Sequence, residues 1–173
     1  MDLDFLKSKI RSVPDWPKKG IVFWDITPVL ADKELFQFLI DELAKFCRGK
    51  EIDRIVGIDA RGFILASALA YKLKKGLTII RKKGKLPPET IGNSYALEYG
   101  VDALEMRKDA IRQGEKVLIV DDLLATGSTV KTTVDIIEKL GGSITAILFF
   151  IELEGLAGRE KLKNYKIESL IKF

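Results

Sequence analysis

The densest chemical potential of the chain lies between Val117 and Thr129, where it reads Val-Leu-Ile-Val-Asp-Asp-Leu-Leu-Ala-Thr-Gly-Ser-Thr. Two acids, Asp121 and Asp122, end an apolar run, and a small, hydroxyl-rich loop opens a helix. Backbone N–H groups and the positive helix end at Ala125, Thr126, Gly127, Ser128 and Thr129 suit a phosphate, with the hydroxyls adding donors and Gly127 permitting close backbone approach. Asp121 and Asp122 would repel that phosphate at contact. They suit the vicinal hydroxyls of a ribose, or a divalent cation. A sugar phosphate satisfies both halves together. The plainer alternative is that Ser128 and Thr129 only cap a helix beside solvated acids. The run matches neither the Walker phosphate loop nor the dinucleotide GxGxxG fingerprint, so ATP hydrolysis and hydride transfer are not indicated.

Composition narrows the remaining chemistry. The 173 residues include no histidine and one cysteine, Cys47, which removes Ser-His-Asp and Cys-His pairs, histidine metal sites and disulfide frameworks. Acid–base work falls to carboxylates, Tyr or Lys. With 29 Lys and Arg against 25 Asp and Glu, the formal charge is +4, a mild surplus that favours an anionic partner without naming one. Residues Met1 to Arg11 carry no long apolar core. The longest apolar runs, Phe63 to Ala70 and Ile144 to Ile151, fall well short of the roughly 20 residues of a membrane span. A soluble, cytoplasmic protein without a membrane partner is expected. At 47% hydrophobic residues the chain can close one sizeable core, so one domain over residues 1–173 is expected.

Something must hold these groups together, and the apolar pattern says what. From Asp32 to Cys47, Leu35, Leu39, Leu43 and Phe46 recur at helical steps, with Asp32 placed to cap the first turn. Arg54 to Ile58 reads as a strand ending in the tight loop Asp59 to Gly62, followed by a buried helix over Phe63 to Leu73 that Gly76 stops. Leu77 to Ile80 is the next strand, completing a βαβ unit. Val117 to Val120, a helix from Ser128 to Leu140 and the strand Ile144 to Ile151 repeat the pattern. Strands without alternation are buried on both faces, so the fold class is α/β, with a central, mostly parallel sheet flanked by helices. Ligands in such sheets lie beyond the carboxyl ends of the strands, which here carry Asp59 to Gly62, Arg81 with Lys82, and Asp121 to Thr129. Between Lys83 and Ser94 the chain is rich in Gly, Pro and small polar residues, has no usable period, and reads as a flexible loop.

The Val117–Thr129 run resembles the signature of the type I phosphoribosyltransferases, which bind 5-phosphoribosyl 1-diphosphate. Further blocks are similar to the adenine-using members, in the same order and at similar spacing: Phe23-Trp24-Asp25-Ile26-Thr27-Pro28, Ala60-Arg61-Gly62-Phe63, Arg81-Lys82-Lys83-Gly84-Lys85-Leu86-Pro87 and Tyr95-Ala96-Leu97-Glu98-Tyr99-Gly100. The resemblance spans nearly the whole chain. It implies a type I phosphoribosyltransferase fold with a small N-terminal hood and base pocket over about residues 1–30, a flexible active-site loop, and a homodimer. It implies a purine-salvage reaction in which adenine and the donor give AMP and diphosphate with Mg²⁺, the metal being held through the substrate's diphosphate and ribose, with Asp121 and Asp122 as the protein groups that could touch it.

Each block then takes an implied role. Arg61 would contact the diphosphate, and Arg81, Lys82 and Lys85 would add positive charge. The loop would close over the reacting centre and exclude water. Glu98 is the candidate for exchanging a proton with the purine ring, with Tyr99 closing or orienting the site. Phe23 would stack on the base while backbone groups of Val22 and Trp24 read its polar edge. The sequence departs from the family pattern twice: Trp24 stands where a basic residue is usual, and Ser128 where glycine is common. Trp24 leaves open a preference for hypoxanthine, guanine or xanthine. A non-enzymatic donor sensor that binds nucleic acid is the other alternative; the chain shows no helix-turn-helix or appended basic domain, and no nucleic-acid partner is expected.

Overall fold

A computed structural model describes residues 1–97 and 100–173. The chain opens with α1 (Leu3–Ser8), capped by the Asp2 carboxylate on the Phe5 amide at 2.8 Å. An antiparallel ribbon follows, β1 (Arg11–Pro14) with β2 (Val22–Asp25). The short α2 (Thr27–Ala31) leads into α3 (Lys33–Phe46), whose cap is the predicted Asp32, accepting from the Glu34 and Leu35 amides. Then come β3 (Arg54–Ile58), α4 (Arg61–Leu73), β4 (Gly76–Lys82), β5 (Thr90–Leu97), β6 (Gly100–Arg107), β7 (Lys116–Leu124), α5 (Ser128–Lys139), β8 (Ser143–Glu152) and β9 (Ile167–Lys172).

Seven of these strands form one sheet in the order β5-β6-β4-β3-β7-β8-β9. The five from β4 to β9 in that order run parallel, and β5 and β6 form an antiparallel arm on the β4 edge. The pleat sends alternate residues to opposite faces. Leu118, Val120, Leu148 and Phe150 pack with Leu39 of α3 and Leu65 and Leu69 of α4. Val117, Ile119, Ile147 and Phe149 pack with Val130, Val134 and Ile137 of α5. Each fully buried Leu or Ile contributes roughly 1.5–3 kcal/mol relative to exposure, which is why these apolar runs choose the interior strands.

The topology has one switch point. From β3 the chain crosses through α4 to β4 on one side, and from β7 it crosses through α5 to β8 on the other. The crossovers diverge between β3 and β7, which opens a crevice beyond their carboxyl ends, the usual ligand position in such sheets.

Three expectations need correction. The loop read from Lys83 to Ser94 ends earlier, because Thr90 already begins β5, which pairs with β6 along its length. An outer strand is held by backbone bonds and needs no apolar alternation, so its pattern is silent in the sequence. The helix after β3 is stopped not by Gly76 but by Lys74, which takes the left-handed conformation at φ 55° while Gly76 starts β4. Asp121 and Asp122 do not end their strand; β7 runs on to Leu124.

Candidate active site

The crevice is built around Arg61, the first residue of α4. Its Nη2 lies 2.7 Å from Asp122 Oδ2, a close ion pair without the alignment of a hydrogen bond. Its Nη1 donates to the Trp24 carbonyl at 3.1 Å, and its guanidinium lies 4.8 Å from the centre of the Phe23 ring. One side chain thus touches Asp122 and the ribbon strand at once. Gly62 makes this proximity possible, since a Cβ there would stand 2.7 Å from Asp121 Oδ1 and 3.0 Å from the Val120 carbonyl. Neither α4, preceded by Ala60, nor α5, preceded by Gly127, has a side chain capping its first turn. Both helices offer uncapped amides to the crevice, where anions are favoured.

Asp121 and Asp122 are buried, and Asp121 Oδ1 accepts from the Asp122 amide at 2.9 Å. Burial, then the adjacent Asp122 charge, pushes the Asp121 carboxyl well above the usual carboxylate range. Burial also raises Asp122, against the pull of Arg61. Burying two adjacent carboxylates is costly, and hydroxyl donors or a cation beside them offset that cost.

The loop from Ala125 to Thr129 bounds, with Asp121, a cleft of about 70 Å³. Ser128 and Thr129 do not cap α5, which removes the plainer reading of the motif: Gly127 holds the cap position at φ 76°. The Thr126 and Ser128 hydroxyl oxygens lie 3.4 Å apart, and Lys161 Nζ donates to Ser128 Oγ at 2.6 Å, bringing a cation to the mouth of the helix. Ser128 is not among the described non-glycine residues with positive φ, so a side chain costs nothing there. At Gly127 it would cost twice, because a Cβ would also meet the Gly158 carbonyl oxygen at 2.4 Å. Gly127→Ala should therefore destabilise the fold by about 1–3 kcal/mol and weaken binding of a phosphate at the turn; thermal melts and calorimetric titration measure both.

The ribbon and the basic segment complete the surroundings. Phe23 meets Trp16 edge-on at 4.5 Å, while the Trp24 ring turns away and stacks on Phe173 at 3.7 Å. Arg81 Nε donates to Asp59 Oδ2 at 3.0 Å and Nη1 to the Lys85 carbonyl at 3.3 Å. The turn after β4 is ordered by Glu105, which accepts from the Gly84, Lys85 and Leu86 amides at 2.9, 3.2 and 3.1 Å and from Thr90 Oγ1 at 3.2 Å. Burial raises the Glu105 carboxyl, but these bonds outweigh it and hold it below its ordinary value of 4.5. A depressed carboxyl stabilises the fold above its unfolded value and loses that contribution as pH falls through the folded one. Glu105→Gln should lower the melting temperature at pH 7, and the difference should shrink as pH falls below the ordinary value of 4.5 and through the depressed folded one. A larger cavity of about 370 Å³, lined by Lys83, Thr90, Asn93 and Glu105, lies under the arm and shares no lining residue with the cleft at Gly127.

A profile described as the phosphoribosyl transferase domain matches residues 29–172. The chain belongs to the phosphoribosyltransferase family. It is 54% identical, over 99% of its length and all of the relative's, to a protein of Geobacter metallireducens named adenine phosphoribosyltransferase. It is similar in structure to the adenine phosphoribosyltransferase of Thermoanaerobacter pseudethanolicus, at a TM-score of 0.97 and 51% identity over 99% of both chains. The Saccharomyces cerevisiae enzyme of the same name, complexed with D-2,5-dideoxy-2,5-imino-altritol 1,6-bisphosphate and adenine, matches at 0.92 and 38% over 97% of both chains.

Within this phosphoribosyltransferase fold, the residues singled out from the sequence fall into three groups. Arg61 pairs with Asp122, whose amide donates to Asp121, and Phe23 and Trp24 lie on the other side of Arg61. Ala125 to Thr129 form the adjoining turn, and Val22, exposed, begins β2. Arg81, Lys82 and Lys85 lie at the end of β4 and just after it, Lys82 opposite Leu104 of β6. Glu98 and Tyr99 lie outside the described residues. Sequence reasoning missed Asp59, Glu105, Gly158 and Phe173 as supports. Only Gly158, in the small-residue step Ala157-Gly158, carried a local hint of close backbone approach.

Proposed function

We propose that this phosphoribosyltransferase moves the 5-phosphoribosyl group from 5-phosphoribosyl 1-diphosphate to N9 of adenine, giving AMP and diphosphate in purine salvage. The observation that carries the reading is the contact of Arg61 with both Asp122 and the Phe23–Trp24 strand, which sets an anion-seeking cation between a sugar-binding pair and an aromatic base pocket. The relatives named adenine phosphoribosyltransferase support it, and the yeast structure holds a sugar bisphosphate together with adenine.

Each group then has a task. Amides of Thr126 to Thr129, with Lys161 beside them, hold the 5-phosphate; Asp121 and Asp122 accept from the ribose hydroxyls. Breaking the C1–O bond leaves positive charge on the ribose ring and negative charge on the departing diphosphate. Arg61, the α4 amides, Arg81, Lys82 and Lys85 face the second. A purine lying between Phe23 and the guanidinium needs about 7 Å, two contact distances, so Arg61 leaves that ring as the base enters. The Trp24 carbonyl points at Arg61, away from β1, and its amide shares that edge. Pro14, which lacks a donor, sits opposite Val22 in the same register, so the Val22 backbone faces that edge too. Glu98 exchanges the purine proton, and Tyr99 closes over it. The two hard carboxylates suit Mg²⁺, which binds through one or two such groups and substrate oxygens; when bound it neutralises charge on the diphosphate.

Residues 1–30 serve as hood and base pocket within one domain. The protein works in the cytoplasm as a homodimer; Ile64 and Tyr71, seven residues apart on α4 and 43% and 89% exposed, offer an apolar face for a second copy. Among the described residues no helix is long and apolar enough to cross a membrane. Incubating the pure protein with donor, Mg²⁺ and each of adenine, hypoxanthine, guanine and xanthine should give nucleotide fastest from adenine. Faster use of an oxopurine would overturn the substrate, and turnover of none of them would favour the donor sensor.

A further inference from the structure

We infer that Phe173 is a positioning residue for the base pocket, its ring stacking on Trp24 to fix the strand whose backbone meets the purine. The inference rests on the reading of β2 as the base-binding strand. β2 has four residues and pairs in its sheet only with β1. A lone two-stranded ribbon is marginal in water, so the position of β2 must be set by contacts to the rest of the fold.

Phe173 supplies such a contact from the edge of the seven-stranded sheet. It follows β9 directly, its amide donates to the Glu152 carbonyl at 3.0 Å, and its carbonyl accepts from the Glu154 amide at 3.0 Å. Its ring centre lies 3.7 Å from that of Trp24 with 22° between the planes, and Lys7 Nζ of α1 lies 4.5 Å from the same ring. Trp24 and Phe173 both pack on the core shared with α3 and α4. The Trp24 backbone is tied from elsewhere by Arg61, through its carbonyl. The donor diphosphate draws Arg61 away, whereas nothing in the reaction touches Phe173. The ring stack is therefore a tie on Trp24 that persists through turnover, beside the buried Ile10 and Ile26 that flank the ribbon. Strand geometry keeps the two roles of Trp24 apart, since its side chain projects from the ribbon face while its N–H and carbonyl lie along the edge.

Removing the Phe173 ring should loosen β2 and leave the donor contacts on α4, β7 and α5 in place. Phe173→Ala and Phe173→Leu, the second keeping apolar volume without a ring, should each raise KM for adenine about five- to tenfold, the scale of one aromatic pair. KM for the donor and kcat should stay within about twofold, and Phe173→Tyr should restore the unaltered KM. If Phe173→Ala fails to fold, the Leu and Tyr pair carries the same comparison. An unchanged adenine KM in the Leu variant, or a parallel rise in both KM values, would overturn the positioning role. Absence of adenine turnover by the unaltered protein would instead overturn the base-pocket reading beneath it.

Discussion

Asp121→Asn combined with Asp122→Asn is expected to weaken 5-phosphoribosyl 1-diphosphate binding by about 10²-fold or more, since a hydrogen bond to a charged acceptor is worth roughly 1.5–3 kcal/mol. The same change should not destabilise the fold. Both carboxyls are buried and shifted upward, Asp121 by burial and then by Asp122, Asp122 by burial against Arg61. A carboxyl raised in the folded state costs stability as pH climbs from its unfolded value through its folded one. Asp121→Asn alone should therefore melt at an equal or higher temperature at pH 8, with the gain shrinking toward pH 4. Paired binding and melting measurements separate this outcome from general unfolding, which would lower both. An unchanged dissociation constant in the double variant would remove the ribose role from the pair.

Glu98→Gln is expected to lower turnover by about 10²-fold or more with donor affinity little changed, the usual size for removal of a proton-transfer group. The chain offers few substitutes. It has no histidine, Asp121 and Asp122 are assigned to the sugar in the proposed reaction, and Glu105 already accepts from three backbone amides and Thr90. Steady-state rates at saturating donor measure the effect, and wild-type-like turnover would retire Glu98 as proton carrier.

Much of the scaffold was legible because it is written in local periodicity. Leu35, Leu39 and Leu43 at helical steps, with Asp32 ahead of them, specify α3 and its cap, and the unbroken apolar runs of β3, β7 and β8 can satisfy themselves only inside a covered sheet. The acid pair and the hydroxyl-rich turn were legible because buried charge and a helix opened by glycine are chemically conspicuous. The arm was not, since the pairing of Thr90 to Leu97 with β6 is a matter of backbone bonds at a sheet edge. Nor were the supports that act across long separations. Gly158 is needed only because Gly127 and Ala125 come against it, Glu105 only because the turn after β4 folds over it, and Phe173 only because the last strand ends beside Trp24. Trp24 itself read as a departure from the family pattern; its ring stacks on Phe173 and packs on the core, while its carbonyl accepts from Arg61.

The most direct test of the account is a crystal structure of the protein with AMP. It should show the phosphate on the amides of residues 126–129, the ribose hydroxyls on Asp121 and Asp122, and the base against Phe23 with its polar edge on the Val22 and Trp24 backbone. AMP bound in the cavity beside Lys83 and Glu105, with the Asp121 to Thr129 turn left empty, would contradict it.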